Sequence, residues 1–305
     1  MTLNPVLVHE MRSRMRGGTA YLLLTSIILV FGGFTLATFW AITNVVRPVT
    51  PVTVPIAGAA AANQPPPIDR ILVAQRGVIF FLVMSLWAIV LTALIVPGTT
   101  SGTIARERET HSLPLLLGTP LSPLAIILGK LLAASSYILL VVAAGVPLFS
   151  LVIMFGGIGR DQIFAVVIIM VATTFAYSAL GIFVSSLARN GLLAALISYA
   201  VVLAVTFGSY AVYAAASPLS KAVSMKYALY FSPLASIMSA MTQSNSQLNS
   251  IVGQLFREPG TRVAGEWWAL GHYPLWYVTT IGYLLVGLLC ILGASRAINP
   301  LRRWL

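Results

Sequence analysis

Charge is what this chain lacks. Only 8% of its 305 residues are Asp, Glu, Lys or Arg, against about a quarter in a soluble domain. Six long apolar runs, near Ala20–Ile42, Gly77–Val96, Leu131–Phe155, Ile163–Val184, Gly191–Tyr213 and Leu275–Ala294, contain no Asp, Glu, His, Lys or Arg at all. Proton-driven carriers and voltage sensors keep ionisable side chains at membrane depth, so a chain without them draws its driving force from elsewhere. Cysteine is nearly absent too. Cys290 stands alone in the last run, which excludes an intrachain disulfide and leaves the redox compartment unread. His9, His111 and His272 are isolated, so no metal-ligating set is apparent. The seven carboxylates (Glu10, Asp69, Glu107, Glu109, Asp161, Glu258 and Glu266) are scattered, with no pair placed for acid–base chemistry inside a bilayer. No G-x-x-x-x-G-K-[ST] loop is present to cradle nucleotide phosphates.

What is present is hydrophobic length. Residues of the hydrophobic classes make up 58% of the chain, and each run has about the 20 residues a helix needs to cross a hydrocarbon core. The composition predicts an all-α membrane protein with six transmembrane helices. An outer-membrane barrel would read instead as short alternating segments. The net charge of +11 is no nucleic-acid footprint, because the bases sit at membrane flanks, where they anchor and orient spans. Arg12, Arg14 and Arg16 precede the first run as in a signal peptide, but that run is too long for a signal h-region and reads as an uncleaved span.

Six crossings put both termini on one side. Segments 1–19, 97–130, 185–190 and 295–305 carry Arg12, Arg14, Arg16, Arg106, Arg108, Lys130, Arg189, Arg296, Arg302 and Arg303. The longer opposite segments carry Arg47, Arg70, Arg76, Arg160, Lys221, Lys226, Arg257 and Arg262. The denser basic side is expected to be cytoplasmic. Residues 43–75 form a Pro- and Ala-rich outer loop of extended character. The outer segment 214–274 contains Tyr227–Met241, an apolar run interrupted by Pro233 that is too short to cross, and predicts a short interfacial or re-entrant helical segment. Trp267, Trp268, Tyr273, Trp276 and Tyr277 then read as an aromatic belt. Residues 1–19 predict an interfacial elbow helix: Asn4-Pro5 starts it, Val6, Leu7, Met11 and Met15 form its apolar stripe, and Gly17-Gly18 breaks it.

The loop between the second and third runs carries most information. Arg106, Glu107, Arg108 and Glu109 come first. Ser112 then caps a short apolar helix with Pro114 in its first turn, built from Leu113, Leu115, Leu116 and Leu117, and ended by Gly118 and Pro120. So short a helix cannot hide its leucines alone. It lies on the membrane or fits a groove on a partner.

This loop resembles the transmembrane subunits of the ABC-2 permease group of ABC transporters, whose pattern is roughly I-A-x-E-R-E-x-x-T-x-x-L-L-x-x-T-P-L-S-P-x-x-I-x-x-G-K. The match runs through Ile104, Ala105, Glu107, Arg108, Glu109, Leu115, Leu116, Thr119, Pro120, Leu121, Ser122, Pro123, Ile126, Gly129 and Lys130. Ser112 replaces the usual Thr, and Pro114 a common acidic residue. The stretch Asn4 to Gly17, the run Ser185-Ser-Leu-Ala-Arg189 and the run Phe231-Ser-Pro-Leu234 are similar to shorter family segments.

The resemblance implies a multi-pass permease of a bacterial cytoplasmic membrane, both termini inside, forming half of an ATP-driven exporter with a second identical or different permease subunit. It implies a cytoplasmic coupling helix docking on a separate ATPase subunit, through Glu107, Arg108, Glu109, Ser112, Leu115, Leu116, Thr119 and Pro120. It also implies no cofactor in this chain, since ATP and Mg sit on the partner. Lipid is the remaining expected partner; nucleic acid is not one. Thr173, Thr174, Tyr177, Ser178, Ser198 and Tyr199 are the polar candidates for lining a pathway, and interhelical hydrogen bonding accounts for them equally well. A non-transporting platform of the same fold in a larger complex is the competing reading.

The charge distribution generates a topology test. In a Cys290→Ala background, Gln247→Cys is expected to react with an impermeant thiol reagent in intact cells. Labelling only after permeabilisation reverses the assignment.

Overall fold

The computed structural model describes residues 18–44, 68–111, 122–135, 158–216, 229–243, 269–270 and 273–298. Among them, helices α1 (Gly18–Asn44), α2 (Ile68–Thr100), α3 (Ala105–Glu109) and α4 (Pro123–Ser135) are followed by α5 (Arg160–Leu187) and α6 (Gly191–Leu203). A π-helical turn over Ala204–Gly208 joins α6 to α7 (Ser209–Ala216). Then come α8 (Pro233–Gln243) and α9 (Leu275–Ile298). The two-residue strands β1 (Ala269–Leu270) and β2 (Tyr273–Pro274) pair antiparallel just before α9.

Among the described residues, five helical stretches are long and apolar enough to cross a membrane: Thr25–Ile42, Arg76–Glu109, Arg160–Leu187, Gly191–Val212 and Leu275–Ile298. They correspond to five of the six runs expected from sequence. The third run begins in α4, and its later part lies outside the described residues, as do the elbow segment 1–17 and residues 112–121 of the coupling segment.

Packing sets the directions. Val78–Ile89 of α2 share one core cluster with Ala165–Met170 of α5, and further along Thr100 lies against Gly181. The two helices therefore run the same way. So does α9: Phe175 and Phe183 of α5 fill notches at Gly287 and Gly293, where an added Cβ would meet ring carbons at 2.6 and 2.7 Å. Glycine here serves close approach, the usual device of membrane helix pairs. By contrast α6 runs antiparallel to α5, with Ala194 beside Ala188 at one end and Thr206 beside Tyr177 further on. Helix α1 is peripheral and antiparallel to α2: Phe34 stacks on Trp87 at 4.2 Å, and Phe39 meets Phe80 edge-on. Leucines of α9, among them Leu285, Leu288 and Leu289, remain exposed, as expected of a face meeting lipid.

The apolar run around Pro233 enters the bundle and does not lie on its surface. Ala235, Ser236, Ile237 and Met241 of α8 are fully buried. The tip before α8 is tied to the π turn and to α9: Ser232 Oγ donates to the Thr206 carbonyl at 3.0 Å, and Tyr283 Oη to the Phe231 carbonyl at 2.6 Å. The far end of α8 meets the start of α5, where Gln162 Nε2 donates to the Met241 carbonyl at 3.1 Å. Helix α8 thus climbs from inside the bundle to one end of it, a re-entrant path whose backbone groups find partners in protein.

Helix α2 also differs from expectation. The expected run ends at Val96, yet the helix continues through Pro97 to Thr100. Pro97 has no N–H to offer the Ala93 carbonyl. One residue on, Tyr199 Oη of α6 donates to the Leu94 carbonyl at 2.8 Å, which ties a neighbouring helix to α2 beside the break.

The contact at Gly181 generates a stability test. Any side chain there meets Thr100, and overpacking costs about 1–3 kcal/mol. Gly181→Ala is expected to lower the melting temperature in detergent. Gly32→Ala, with nothing within 4 Å of the new Cβ, leaves it unchanged.

Candidate functional site

The charged turn after α2 is built by short-range bonds. Ser101 N donates to Pro97 O, Arg106 N to Gly102 O and Arg108 N to Ile104 O. This coils the chain into the single turn of α3. His111 then takes φ 54°, the left-handed conformation that ends helices, with its N–H on the Arg108 carbonyl at 3.2 Å.

Each charge of the Glu107-Arg108-Glu109 triplet leaves this turn for a different element. Glu107 Oε1 accepts from Lys130 Nζ of α4 at 2.6 Å, and Lys130 is 2% exposed. Arg108 donates through Nη1 to the Ala188 carbonyl at 2.7 Å and through Nη2 to the Ser186 carbonyl at 2.8 Å. Those groups close α5, which has no basic residue in its own last turn. Glu109 Oε1 accepts from Gly191 N at 2.9 Å. That N–H opens α6, which has no acidic residue in its first turn and no bond from its own N-cap side chain.

Helix ends leave backbone groups unpaired and carry partial charge, negative at the C-terminus and positive at the N-terminus. Arg108 and Glu109 thus cap two consecutive helices from a third, with the signs each end requires. The favour is returned by Ser185 of α5. Its Oγ accepts from both Ile104 N and Ala105 N at 3.0 Å, at the buried start of α3, where the N-cap Ile104 has no side chain to offer. Arg106, lying between Gly102 and Gly191, is exposed with Glu109, Thr110 and His111.

Of the sequence-expected contact residues, Glu107, Arg108 and Glu109 are brought together here. Ser112, Leu115, Leu116, Thr119 and Pro120 lie outside the described residues. Ser185 was legible only as part of a turn motif, because the amides it serves are 80 and 81 residues away in sequence. The six polar candidates of α5 and α6 divide into two sets. Thr173 Oγ1 donates to Ile169 O at 2.7 Å, Tyr177 Oη lies 2.7 Å from Thr206 Oγ1 and Tyr199 bonds Leu94 O. Thr174, Ser178 and Ser198 are at most 1% exposed, and their hydroxyls have no hydrogen-bond partner among the described residues. Among those residues no group of three His, Cys, Asp or Glu is placed to hold a metal ion.

The Glu107–Lys130 pair generates a non-additive prediction. Removing one partner of a buried pair costs up to about 3–5 kcal/mol, whereas replacing both with apolar groups is far milder. Because Glu107 is 26% exposed, the low end of that range applies. Glu107→Ala is expected to lower the detergent melting point markedly, and Glu107→Leu with Lys130→Met to recover most of the loss. Additive losses would refute the pairing.

Among curated proteins no relative matches the chain. The family model described as ABC-2 family transporter protein matches residues 5–295, a stretch that takes in the triplet, its capped helix ends and the re-entrant α8. With five apolar helices of spanning length carrying these elements, the chain is a multi-pass membrane transport component and belongs to the ABC-2 transporter family.

Proposed function

We propose that this chain is the permease half of an ATP-driven exporter of the bacterial cytoplasmic membrane. It has six crossings and both termini inside, and it works with a second permease subunit and a separate ATPase. The observation that carries this reading is the triplet turn. Glu107, Arg108 and Glu109 bind α4, α5 and α6 to one small helix, and residues 112–121 leave from that helix and return to α4. Force applied to this segment reaches three helices at once. Leu115 and Leu116 dock in a groove of the ATPase, with Ser112, Thr119 and Pro120 bounding the docking helix. Glu107, Arg108 and Glu109 stand at its foot.

Connectivity supports the sixth crossing. Leu131 packs with Ile104 and Ile182 at the triplet end, while Ile158 packs beside Val166 and Met241 at the other. Residues 136–157 must bridge the two ends, and a helix over them spans about 33 Å at 1.5 Å per residue. The density of bases supports a cytoplasmic triplet end.

Burying a Leu side chain is worth roughly 1.5–3 kcal/mol, and a carboxylate against an apolar groove adds a desolvation cost. Leu115→Asp with Leu116→Asp is expected to abolish copurification with the ATPase while membrane insertion persists. Wild-type recovery of the ATPase would remove the docking role. The platform reading is separated by reconstitution, since a permease complex hydrolyses ATP and a platform retains other membrane proteins and hydrolyses none.

A further inference from the structure

Buried hydroxyls in these helices as a rule bond back to the carbonyl four residues earlier. Thr35, Ser85, Thr92, Thr100, Thr173, Thr206 and Thr279 all do so at 2.7–2.9 Å. Ser135 at the end of α4 breaks the rule, and so do Thr174, Ser178 and Ser198, which are fully buried without a partner among the described residues. An unbonded buried hydroxyl is costly, so three of them together need a reason.

Their positions share one seam. Thr174, Ser178, Gly181 and Ser185 recur at i, i+4, i+7 and i+11 along one stripe of α5. Two members of that stripe are fixed against the end of α2, Gly181 by Thr100 and Ser185 by Ile104 N. Ser198 of α6 lies one turn before Val202, which packs with Ala93, Val96 and Tyr177. Its neighbour Tyr199 reaches Leu94 O and sits where Gly98 leaves room, its Oη 2.7 Å from an added Cβ. All three hydroxyls therefore border the stretch of α2 broken by Pro97, the one place on that helix where Ala93 O loses its donor. None of the seam residues named here is charged.

We propose that the α2–α5–α6 seam at Pro97 opens to water, and that Thr174, Ser178 and Ser198 line the opening as donors and acceptors for a neutral, hydrogen-bonding cargo. Pro97 permits the two parts of α2 to bend apart, and the Tyr199–Leu94 bond latches α6 to the part before Pro97 in the closed state described here. Opened, the three hydroxyls exchange an unbonded state for water or cargo. The inference rests on the pathway reading above and narrows its cargo to uncharged polar groups.

The test uses single cysteines in full-length Cys290→Ala protein in lipid nanodiscs, reacted with a small neutral thiol reagent. Ser178→Cys and Ser198→Cys are expected to react at least roughly tenfold faster than Thr173→Cys, since only the former lie on a seam with a low opening cost. Adding Tyr199→Phe, which releases the latch without removing the ring, is expected to raise the two seam rates further and leave that of Thr173→Cys unchanged. Equal rates at all three positions, or seam rates indifferent to Tyr199→Phe, overturn the proposal. With the copurified ATPase present, ATP is expected to shift the seam rates. Fast seam rates that ATP does not move would keep the seam and overturn the coupled transport reading instead.

Discussion

The fold at one end of the bundle hangs on helix ends that cannot finish themselves. Helix termini leave backbone N–H and C=O groups that need partners from outside the helix. The last turn of α5 holds no basic residue and the first turn of α6 no acidic one. Arg108 and Glu109 provide them from another part of the chain. The two part-buried bonds of Arg108 fasten the turn to α5, while the exposed Glu109 bond to α6 contributes less because water screens it. Because Ser185 in turn completes the start of α3, neither turn is satisfied without the other. The two loops form one cooperative unit, and α4 joins it through Lys130.

The bundle is differently held elsewhere. The α5–α9 contact relies on phenylalanines in glycine notches, which fix register by shape. The re-entrant α8 relies on polar ties at both ends: Tyr283 and Ser232 near its start, Gln162 at its finish. The π turn at Ala204–Gly208 lies where Thr206 meets both Tyr177 and Ser232, so a local departure from α-geometry coincides with a set of polar contacts inside the bundle. Such departures often accompany function.

Sequence made the spans legible because length and apolarity are local properties. The centres of five of them lie where the charge-free runs place them. The triplet was legible as a motif but not as a set of caps, since Arg108 and its acceptors are 78 and 80 residues apart and no periodicity connects them. The second charge-free run ends at Val96, whereas α2 passes through Pro97 to Thr100, with Tyr199 of α6 tied to Leu94 beside it. The run around Pro233 left two paths open, and packing against α2, α5 and α9 selected the inward one. Thr174 and Thr173 are identical in sequence terms, and only the packed neighbours separate the bonded hydroxyl from the unbonded one.

The common direction of α2, α5 and α9 has an electrical consequence. Each helix ends with a partial negative charge of about half an electron, so these three bring negative ends to the triplet end, where the antiparallel α1 and α6 bring positive ones. Antiparallel neighbours thus offset part of the field, and cations stand at the same level: Arg108 on the end of α5 and Arg296 in the last turn of α9. Two basic residues at this end of the apolar helices are then also counterions of the protein's own backbone. Inverting the chain in the bilayer would carry that compensated end, cations and all, to the opposite face.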